Sequence, residues 1–447
     1  MKKTIEKIKN LTLEDINKNL LFIALLALIF RVGNFATNYI PKPFEIIFSV
    51  VVILTIVDLL KNNKIKEFFF SIPKNIRIAL FILIPSVLVG WLFATFFLKI
   101  PFYFNMILEF GTFMISISIF LLILFYTRND KAYIKRYFYA LLVPIIYVFL
   151  IIFPGVAVHF NMADIHFFGF TGNPNIISKI LIIPAIFLIT KTLFEDKNKL
   201  LKIIYFIISS LLVSLIFWTV SRGAILSLLL GAIFLWIIFS RNNFNWKKLF
   251  YSGFIIFSIF LVGFLVTPKS GKDMIVNRIL YYTNSPYVYS QIKNIPEVGE
   301  VNISEVSKVN MPVVSTEQSI ESKFKTREPR FQIWSFYLNK ILMNPIGFGP
   351  NTHMQAYILL GEDGFDRTGP HNTYIQVWLW GGIVGLLGFI YLLINAFKNL
   401  KSKLKSDFTY MTVAITAILF TLLVSITFDD SLSFYWFWII LAFSFLL

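Results

Sequence analysis

Three residues of this 447-residue chain, Arg222, Arg330 and His371, are of types that could carry out chemistry on a phosphorylated substrate. A guanidinium group stays charged at any relevant pH and can bind two phosphate oxygens at once, which suits a diphosphate better than a lysine would. An imidazole at the start of a helix feels the positive end of the helix dipole, which disfavours its cationic form and keeps it available as a base. Together they indicate two anion-binding groups and one proton acceptor.

Each of the three also has an ordinary structural explanation. Arg222 lies between two apolar segments, where it could extend to lipid phosphates, although a charge at a membrane interface is by default a functional hypothesis. Arg330 follows a proline suited to the first position of a helix. It could be a solvated charge paired with Glu328, and that role is the better explanation of Arg327. His371 lies next to a Gly-Pro pair and could be a capping or interfacial residue.

Several amide and carboxylate side chains lie where predicted helices begin or end. Asn173 and Asn175 flank a proline, and they could cap a helix or bind sugar hydroxyls; capping is favoured and both roles are compatible. Asn372 or the threonine after it is expected to cap the helix that follows His371. The adjacent Asp429 and Asp430 could share a proton and act as a base, but a solvated turn is the favoured interpretation.

The elements that must position these residues are membrane helices. The chain is 57% hydrophobic and 18% aromatic, and apolar runs of about 20 residues recur along it, each long enough to cross a hydrocarbon core of roughly 30 Å. We therefore predict an all-α polytopic membrane protein with about 12 transmembrane helices. The absence of cysteine excludes disulfides, thiolate catalysis and cysteine-based metal sites. The predicted spans are 20–40, 43–60, 78–98, 105–126, 138–157, 175–190, 203–219, 223–239, 249–266, 373–397, 409–428 and 432–447.

The net charge of +17 is explained by topology and does not require a nucleic-acid partner. Six segments that would lie on one side of the membrane, counting from the N-terminus, carry 25 of the 41 Lys and Arg residues. The short connections on the other side carry only Lys42, Lys99 and Arg222. By the positive-inside rule this asymmetry predicts that both termini are cytoplasmic. The membrane lipids are then the expected surroundings of most of the surface.

One connection is far longer than the rest and lies on the predicted outer face, before the last three spans. The chain is thus divided into helices 1–9 (1–266), a large outer loop (267–371) and helices 10–12 (372–447). Loops of this length are usually functional or disordered, and the section 285–322 has only weak patterning. Apolar residues recur at helical spacing over 330–343, which predicts a helix packed against the membrane domain. The sequence has no Gly-rich phosphate loop, which argues against ATP-driven transport.

In combination, these motifs resemble those of the O-antigen ligase and polymerase family of bacterial envelope glycosyltransferases. They cover about a fifth of the chain, within 219–235 and 327–392. Each motif is short, and the specificity comes from their order, their spacing and the long loop. The resembling residues are Ser221-Arg222-Gly223; Arg330 followed by Trp334, Asn344-Pro345 and Gly347-Phe-Gly349; and His371-Asn372-Thr-Tyr374 leading to Gly381-Gly382 and Gly385.

The resemblance implies a twelve-helix bundle with a large periplasmic loop in the bacterial inner membrane, and transfer of a glycan from undecaprenyl diphosphate without a nucleotide sugar. Arg222 and Arg330 match the family's essential arginines and His371 its essential histidine. The arginines would stabilise the departing diphosphate and His371 would deprotonate the acceptor, so that the transfer inverts the anomeric centre and needs neither metal nor cofactor. Residues expected to help bind substrate are Asn173, Asn175, Asn372, Tyr374 and Arg327.

Several functions are compatible with these motifs. Within the family, a ligase that uses a lipid A–core acceptor is favoured over a polymerase that extends a lipid-linked glycan, and protein O-oligosaccharyltransferases share the motifs. A peptidoglycan polymerase would use an outer-loop aspartate instead. The alternative from another class is a transporter or lipid flippase, which would need charges near the middle of the membrane. Arg31 and Lys179 are the candidates for such charges, and neither has an evident acidic partner in its own span.

Overall fold

A computed structural model describes most of the membrane domain, including the last three predicted spans. The described residues are 12–28, 43–100, 104–128, 130–148, 173–241, 245–269, 271–273, 275–276, 330–350, 369–429, 432 and 434–447. The predictions for 285–322, Arg327, Asp430 and Arg31 therefore lie outside the described residues, as does most of the predicted loop 267–371.

Regular structure within the described ranges is helical. The helices are α1 Leu13–Ala27, α2 Pro43–Lys61, α3 Ile65–Ser71, α4 Lys74–Phe96, α5 Phe104–Thr127, α6 Lys131–Ala140, α7 Pro174–Phe194, α8 Lys199–Trp218, α9 Arg222–Arg241, α10 Trp246–Val266, α11 Arg330–Met343, α12 Thr373–Ser406, α13 Tyr410–Ile426 and α14 Tyr435–Leu446, with a 3₁₀ turn at Val143–Tyr147 between α6 and α7.

Nine helices in the described part of the chain are long and apolar enough to cross a membrane, and they coincide with nine of the twelve predicted spans. The all-helical, multi-span architecture is confirmed, whereas the number twelve stays a prediction. The continuous helix predicted from residue 138 is wrong, because α6 ends at Ala140 and a 3₁₀ turn follows. Pro144, at the start of that turn, has no backbone N–H to donate to a continuing helix.

The bundle is organised around α7 and α13, which are almost entirely enclosed by other helices. Peripheral helices instead expose one apolar face. On α10 that face carries large aromatic side chains, among them Phe250, Phe254 and Phe257, each more than 60% exposed. An exposed apolar face of this kind is what a helix at the lipid boundary requires.

Helix α12 packs closely against α4 through small residues. A Cβ added to Gly381 or to Gly385 would lie 2.7 Å from Ser86 Oγ, so a larger residue at either position would force the Ser86 side chain to move. Between these two positions the helix is kinked at Gly382, whose φ of 64° and ψ of −166° are not helical. The kink was not predicted from the sequence.

The segment after α11 fills the kink and satisfies the backbone groups that it exposes. Phe348 N donates to Leu379 O at 2.6 Å, and Gly349 N donates to Trp380 O at 3.0 Å. In the other direction Ile383 N donates to Pro345 O at 2.9 Å. The Asn-Pro-Ile-Gly-Phe-Gly motif therefore fastens α11 to α12, because a broken helix inside a membrane needs other partners for its freed amides and carbonyls.

Candidate functional site

The beginnings of α7, α9 and α12 and the end of α13 meet at one end of the bundle, and side-chain contacts join them. Ser221 Oγ, just before α9, donates to Asn175 Oδ1 of α7 at 2.8 Å. One helical turn further along α7, Lys179 forms an ion pair with Asp429, which follows α13. Thr373, the first residue of α12, donates through Oγ1 to Asp429 O at 2.8 Å. We call this region the site end.

The two asparagines at the start of α7 have different roles. Asn173 is the N-cap, with its side-chain oxygen accepting from Asn175 N at 2.8 Å and from Ile176 N at 3.4 Å. The favoured capping role of Asn173 is therefore confirmed. Asn175 instead uses its side-chain oxygen to hold Ser221, the neighbour of Arg222. The contact links α7 to the arginine motif.

Arg222 is positioned by a tight turn between α8 and α9. Val220 adopts a φ of 52°, and Ser221 N donates to Thr219 Oγ1 at 3.3 Å within the turn. A Cβ on Gly223 would lie 2.8 Å from Phe428 Cβ, so the glycine allows α9 to start directly against the end of α13. Val220 and Ser221 are buried, whereas Arg222 is exposed. Arg222 thus stands at the surface of the bundle, where α9 starts.

His371 lies two residues before the first residue of α12. Asn372 is the N-cap, as predicted, and accepts from Tyr374 N at 2.9 Å and Ile375 N at 3.1 Å. His371 has a φ of 46°, a conformation uncommon for residues other than glycine, and its side chain is 38% exposed. Pro370 before it is held by Trp334 of α11, whose indole N–H donates to Pro370 O at 2.9 Å. The histidine thus stands at a fixed position with its ring accessible.

Asp429 lies between the histidine and a buried lysine. Its Oδ1 is 3.9 Å from His371 Nδ1, within ion-pair distance, and its Oδ2 contacts Lys179 Nζ. Burial opposes ionisation of this carboxyl group, but Lys179 and His371 outweigh it and hold the pKa of Asp429 well below its usual range. Asp429 therefore remains ionised at any pH at which a histidine ordinarily titrates, and the interpretation of Asp429 as a solvated turn residue is wrong.

The remaining predicted site residues lie on α11 and α12, close to the contacts described above. Arg330 is the first residue of α11, and Trp334, one turn later, contacts the residue before His371, so the start of α11 belongs to the site end. Tyr374 lies in the first turn of α12 with its ring 6.1 Å from that of Phe389, and it lines an apolar groove. The predicted catalytic roles of Arg222, Arg330 and His371 stay predictions. So do the predicted substrate-binding roles of Asn173, Asn175, Asn372 and Tyr374.

Lys179 and Asp429 are the site residues that sequence reasoning did not assign. Lys179 was considered only as a buried charge of a transporter, without an acidic partner in its own span. The sequence did contain part of the signal that could have found this pair. A lone lysine inside an apolar span needs a counterion, and few acidic residues lie near span ends on the predicted outer face. Choosing Asp429 among them required the fold.

The described residues contain no group of three or more histidine, cysteine or acidic side chains that could hold a metal ion. Where a carboxylate and an imidazole do meet, the third member is Lys179, a cation. Its ammonium also lies 5.4 Å from the centroid of the Phe434 ring. The electrostatics of this cluster therefore depend on the protein's own positive charge.

Comparison with known proteins identifies the segment that carries most of this arrangement. Residues 207–390 match the family model described as O-antigen ligase. The match includes Arg222, Arg330 and His371, and it confirms the resemblance predicted from the motifs. Lys179 and Asp429 lie outside the matched segment. The comparison with curated proteins gives no match.

Proposed function

We propose that the protein moves a glycan from undecaprenyl diphosphate to a lipid A–core acceptor at the periplasmic face of the bacterial inner membrane. The match of residues 207–390 to the O-antigen ligase family supports this proposal. The observation that carries the proposal is the meeting of the family's motifs at one end of the bundle. Two side chains of α7, one helical turn apart, hold these motifs. Asn175 accepts from Ser221, the residue before Arg222, and Lys179 pairs with Asp429, which lies beside His371.

In the proposed reaction His371 removes the proton from the acceptor hydroxyl as its oxygen attacks the anomeric carbon. The bond from that carbon to the diphosphate oxygen breaks, and the electron pair leaves with the lipid diphosphate. Arg222 and Arg330 stabilise the charge that builds on this leaving group, the kind of pre-positioned electrostatic stabilisation that contributes most in many enzymes. Direct displacement inverts the anomeric centre.

The polyprenyl chain of the donor would lie in the apolar groove between α9, α12 and α13. Two adjoining cavities of about 420 Å³ and 540 Å³ make up this groove, and Tyr374, Phe397 and Leu423 line both. The second cavity reaches Phe428, the residue next to Asp429 and in contact with Gly223. A lipid tail in the groove would therefore have its diphosphate beside Arg222.

Transfer by purified protein in liposomes without an ion gradient tests the proposal. With a lipid-linked glycan donor and a lipid A–core acceptor, we expect a glycosylated acceptor and free undecaprenyl diphosphate in equal amounts. Movement of the lipid-linked glycan across the bilayer with no new glycosidic bond would instead support a flippase. The Lys179–Asp429 ion pair does not favour that alternative, because Asp429 follows the end of α13 and is not near its middle.

A polymerase is the second candidate, because the family comprises both activities and the geometry of the base and the arginines serves either acceptor. The lipid-linked glycans that accumulate in a deletion strain distinguish the two. Loss of a ligase should leave lipid-linked polymer of full length, whereas loss of a polymerase should leave single repeat units. We expect the full-length polymer.

The side of the membrane on which the site lies can be tested by labelling, since the chain contains no cysteine. A cysteine at position 315, in the predicted periplasmic loop, should react with a membrane-impermeant maleimide in cells with a permeabilised outer membrane. The matched cysteine at position 402, near the end of α12, should not. The reverse pattern would invert the topology and place the site on the cytoplasmic side.

A further inference from the structure

We infer that Lys179 is a positioning residue for His371 and acts through Asp429. The inference rests on the proposed function, since it assigns the groups that prepare the proposed base. Neither Lys179 nor Asp429 lies in the segment that matches the family model.

Lys179 is a charged side chain in a place where charges are costly. Its side chain is only 4% exposed, in the helix that is the most completely enclosed of the candidate spans described. A buried ammonium persists only when it is paired, and its partner Asp429 is 250 residues away in the sequence. Removal of either partner would leave an uncompensated charge. Because Lys179 is on α7 and Asp429 follows α13, the pair therefore holds the end of α13 against α7.

Asp429 is fixed by more than its contact with the lysine. Its carbonyl oxygen accepts from Thr373 Oγ1, and three residues further on Leu432 N donates to Gln376 Oε1 at 3.2 Å. The turn after α13 is thus fastened to the first turn of α12, the helix that His371 precedes. With Oδ2 directed to Lys179, the other carboxylate oxygen, Oδ1, is directed to His371 Nδ1.

A carboxylate next to Nδ1 has two consequences for a histidine base. It favours the tautomer with the proton on Nδ1, so that Nε2 is the nitrogen that accepts a proton. It also stabilises the imidazolium that forms when Nε2 takes the acceptor's proton, as the aspartate does in a catalytic triad. Lys179 contributes by keeping Asp429 ionised and its Oδ1 directed to the ring.

An ion pair that only stabilises the fold would behave differently from one that positions a base, and exchanging the two residues separates these roles. The double variant Lys179→Asp/Asp429→Lys restores opposite charges between α7 and the turn after α13, but it places an ammonium next to His371. A purely structural pair predicts recovery of both thermal stability and turnover. A positioning pair predicts recovery of stability alone.

The experiment compares kcat, the KM for the lipid-linked donor and the thermal unfolding of the full-length protein in liposomes. We expect Lys179→Arg to retain most activity, and Lys179→Met to lose kcat by roughly 10–100-fold with little change in KM, as for residues coupled in one network. The exchange variant should unfold near the wild-type temperature and remain at the low kcat. The control Lys191→Met, on the same helix three turns away and packed on Tyr410, should keep wild-type kcat.

A further variant is included in case a protein with a single substitution does not fold. Lys179→Met/Asp429→Asn removes both charges, so no unpaired charge is left inside the bundle, and it should fold with a reduced kcat. Wild-type kcat in this variant or in the exchange variant would overturn the inference while leaving the proposed function intact. No transfer by the wild-type protein would overturn the proposed function, and this inference with it.

Discussion

Two clusters that each pair a lysine with a carboxylate lie in different parts of the bundle, and which member of the pair is buried differs between them. In the first, between α1, α2 and α3, Asp58 is 3% exposed and its partner Lys64, at 3.6 Å, is 28% exposed. In the second, at the site end, the lysine is the buried member: Lys179 is 4% exposed, and its partner Asp429 is 20% exposed.

The members of the first cluster are mostly close in sequence. Asn62, just past the end of α2, donates through Nδ2 to Asp58 Oδ1 at 2.7 Å, and Lys64 follows two residues later. Glu14 and Lys18 come from α1, and Glu14 pairs with both Lys64 and Lys18. Hydrogen bonds from the two lysines outweigh burial and hold the pKa of Glu14 below its usual value. This arrangement ends α2 and attaches α1 to it.

The second cluster contains an imidazole, a side chain that can accept a proton. His371 is 38% exposed, lies beside the ionised Asp429 and follows the contact between Pro370 and α11. The comparison therefore shows that a buried ion pair is by itself weak evidence of function. An accessible, titratable third member distinguishes a candidate site from a structural ion pair.

The largest effect is expected at the histidine. His371→Ala should lower turnover by roughly 10²–10⁴-fold, the usual contribution of general acid–base catalysis, with little change in donor binding. Turnover and donor binding measured separately in liposomes give the result. Weakened binding with unchanged turnover would assign His371 to diphosphate recognition and remove the functional difference between the two clusters.

The arginines come next. Arg222→Ala and Arg330→Ala should each lower turnover by at least about 10²–10³-fold, as expected for loss of one group that stabilises transition-state charge, without loss of membrane insertion. Lysine at either position should restore little, because it cannot make the two-point contact with phosphate. Near-normal transfer by both lysine variants would exclude paired arginines from the mechanism.

A smaller effect, on stability alone, is expected from the first cluster. Asp58→Asn removes an acceptor with charge but keeps the shape of the side chain, and should lower the free energy of unfolding by about 1 kcal/mol. Transfer per folded molecule should be unchanged. Thermal unfolding and turnover of the same preparation separate these quantities, and a selective loss of turnover would show that the two clusters are functionally linked.

The smallest effect is expected from removal of divalent metal. EDTA should leave the wild-type rate unchanged, because the two arginines would supply the positive charge that a divalent ion supplies in other glycosyltransferases. Initial rates with EDTA, and after addition of Mg²⁺ or Mn²⁺, provide the measurement. A requirement for metal would turn attention to Asp429 and Asp430 as ligands and contradict the assignment of Asp429 to His371.

The features that the sequence determined by itself are those that depend on near neighbours. Runs of apolar residues predicted the membrane helices, and nine of these are present among the described residues. Asn173 and Asn372 were expected to cap helices and do so, because a cap bonds to amides only two or three residues away. The helix beginning at Arg330 was predicted from the periodicity of its apolar side chains, which is also a relation between near neighbours.

Tertiary structure alone decided which charges meet. Lys179 and Asp429 are separated by 250 residues, and no periodicity or capping rule connects them. The kink at Gly382 likewise depends on the segment after α11, whose backbone replaces the helix's own hydrogen bonds. Both the ion pair and the hydrogen bonds at the kink are required by burial. An unpaired ammonium or amide is costly only after the surrounding helices have excluded water from it.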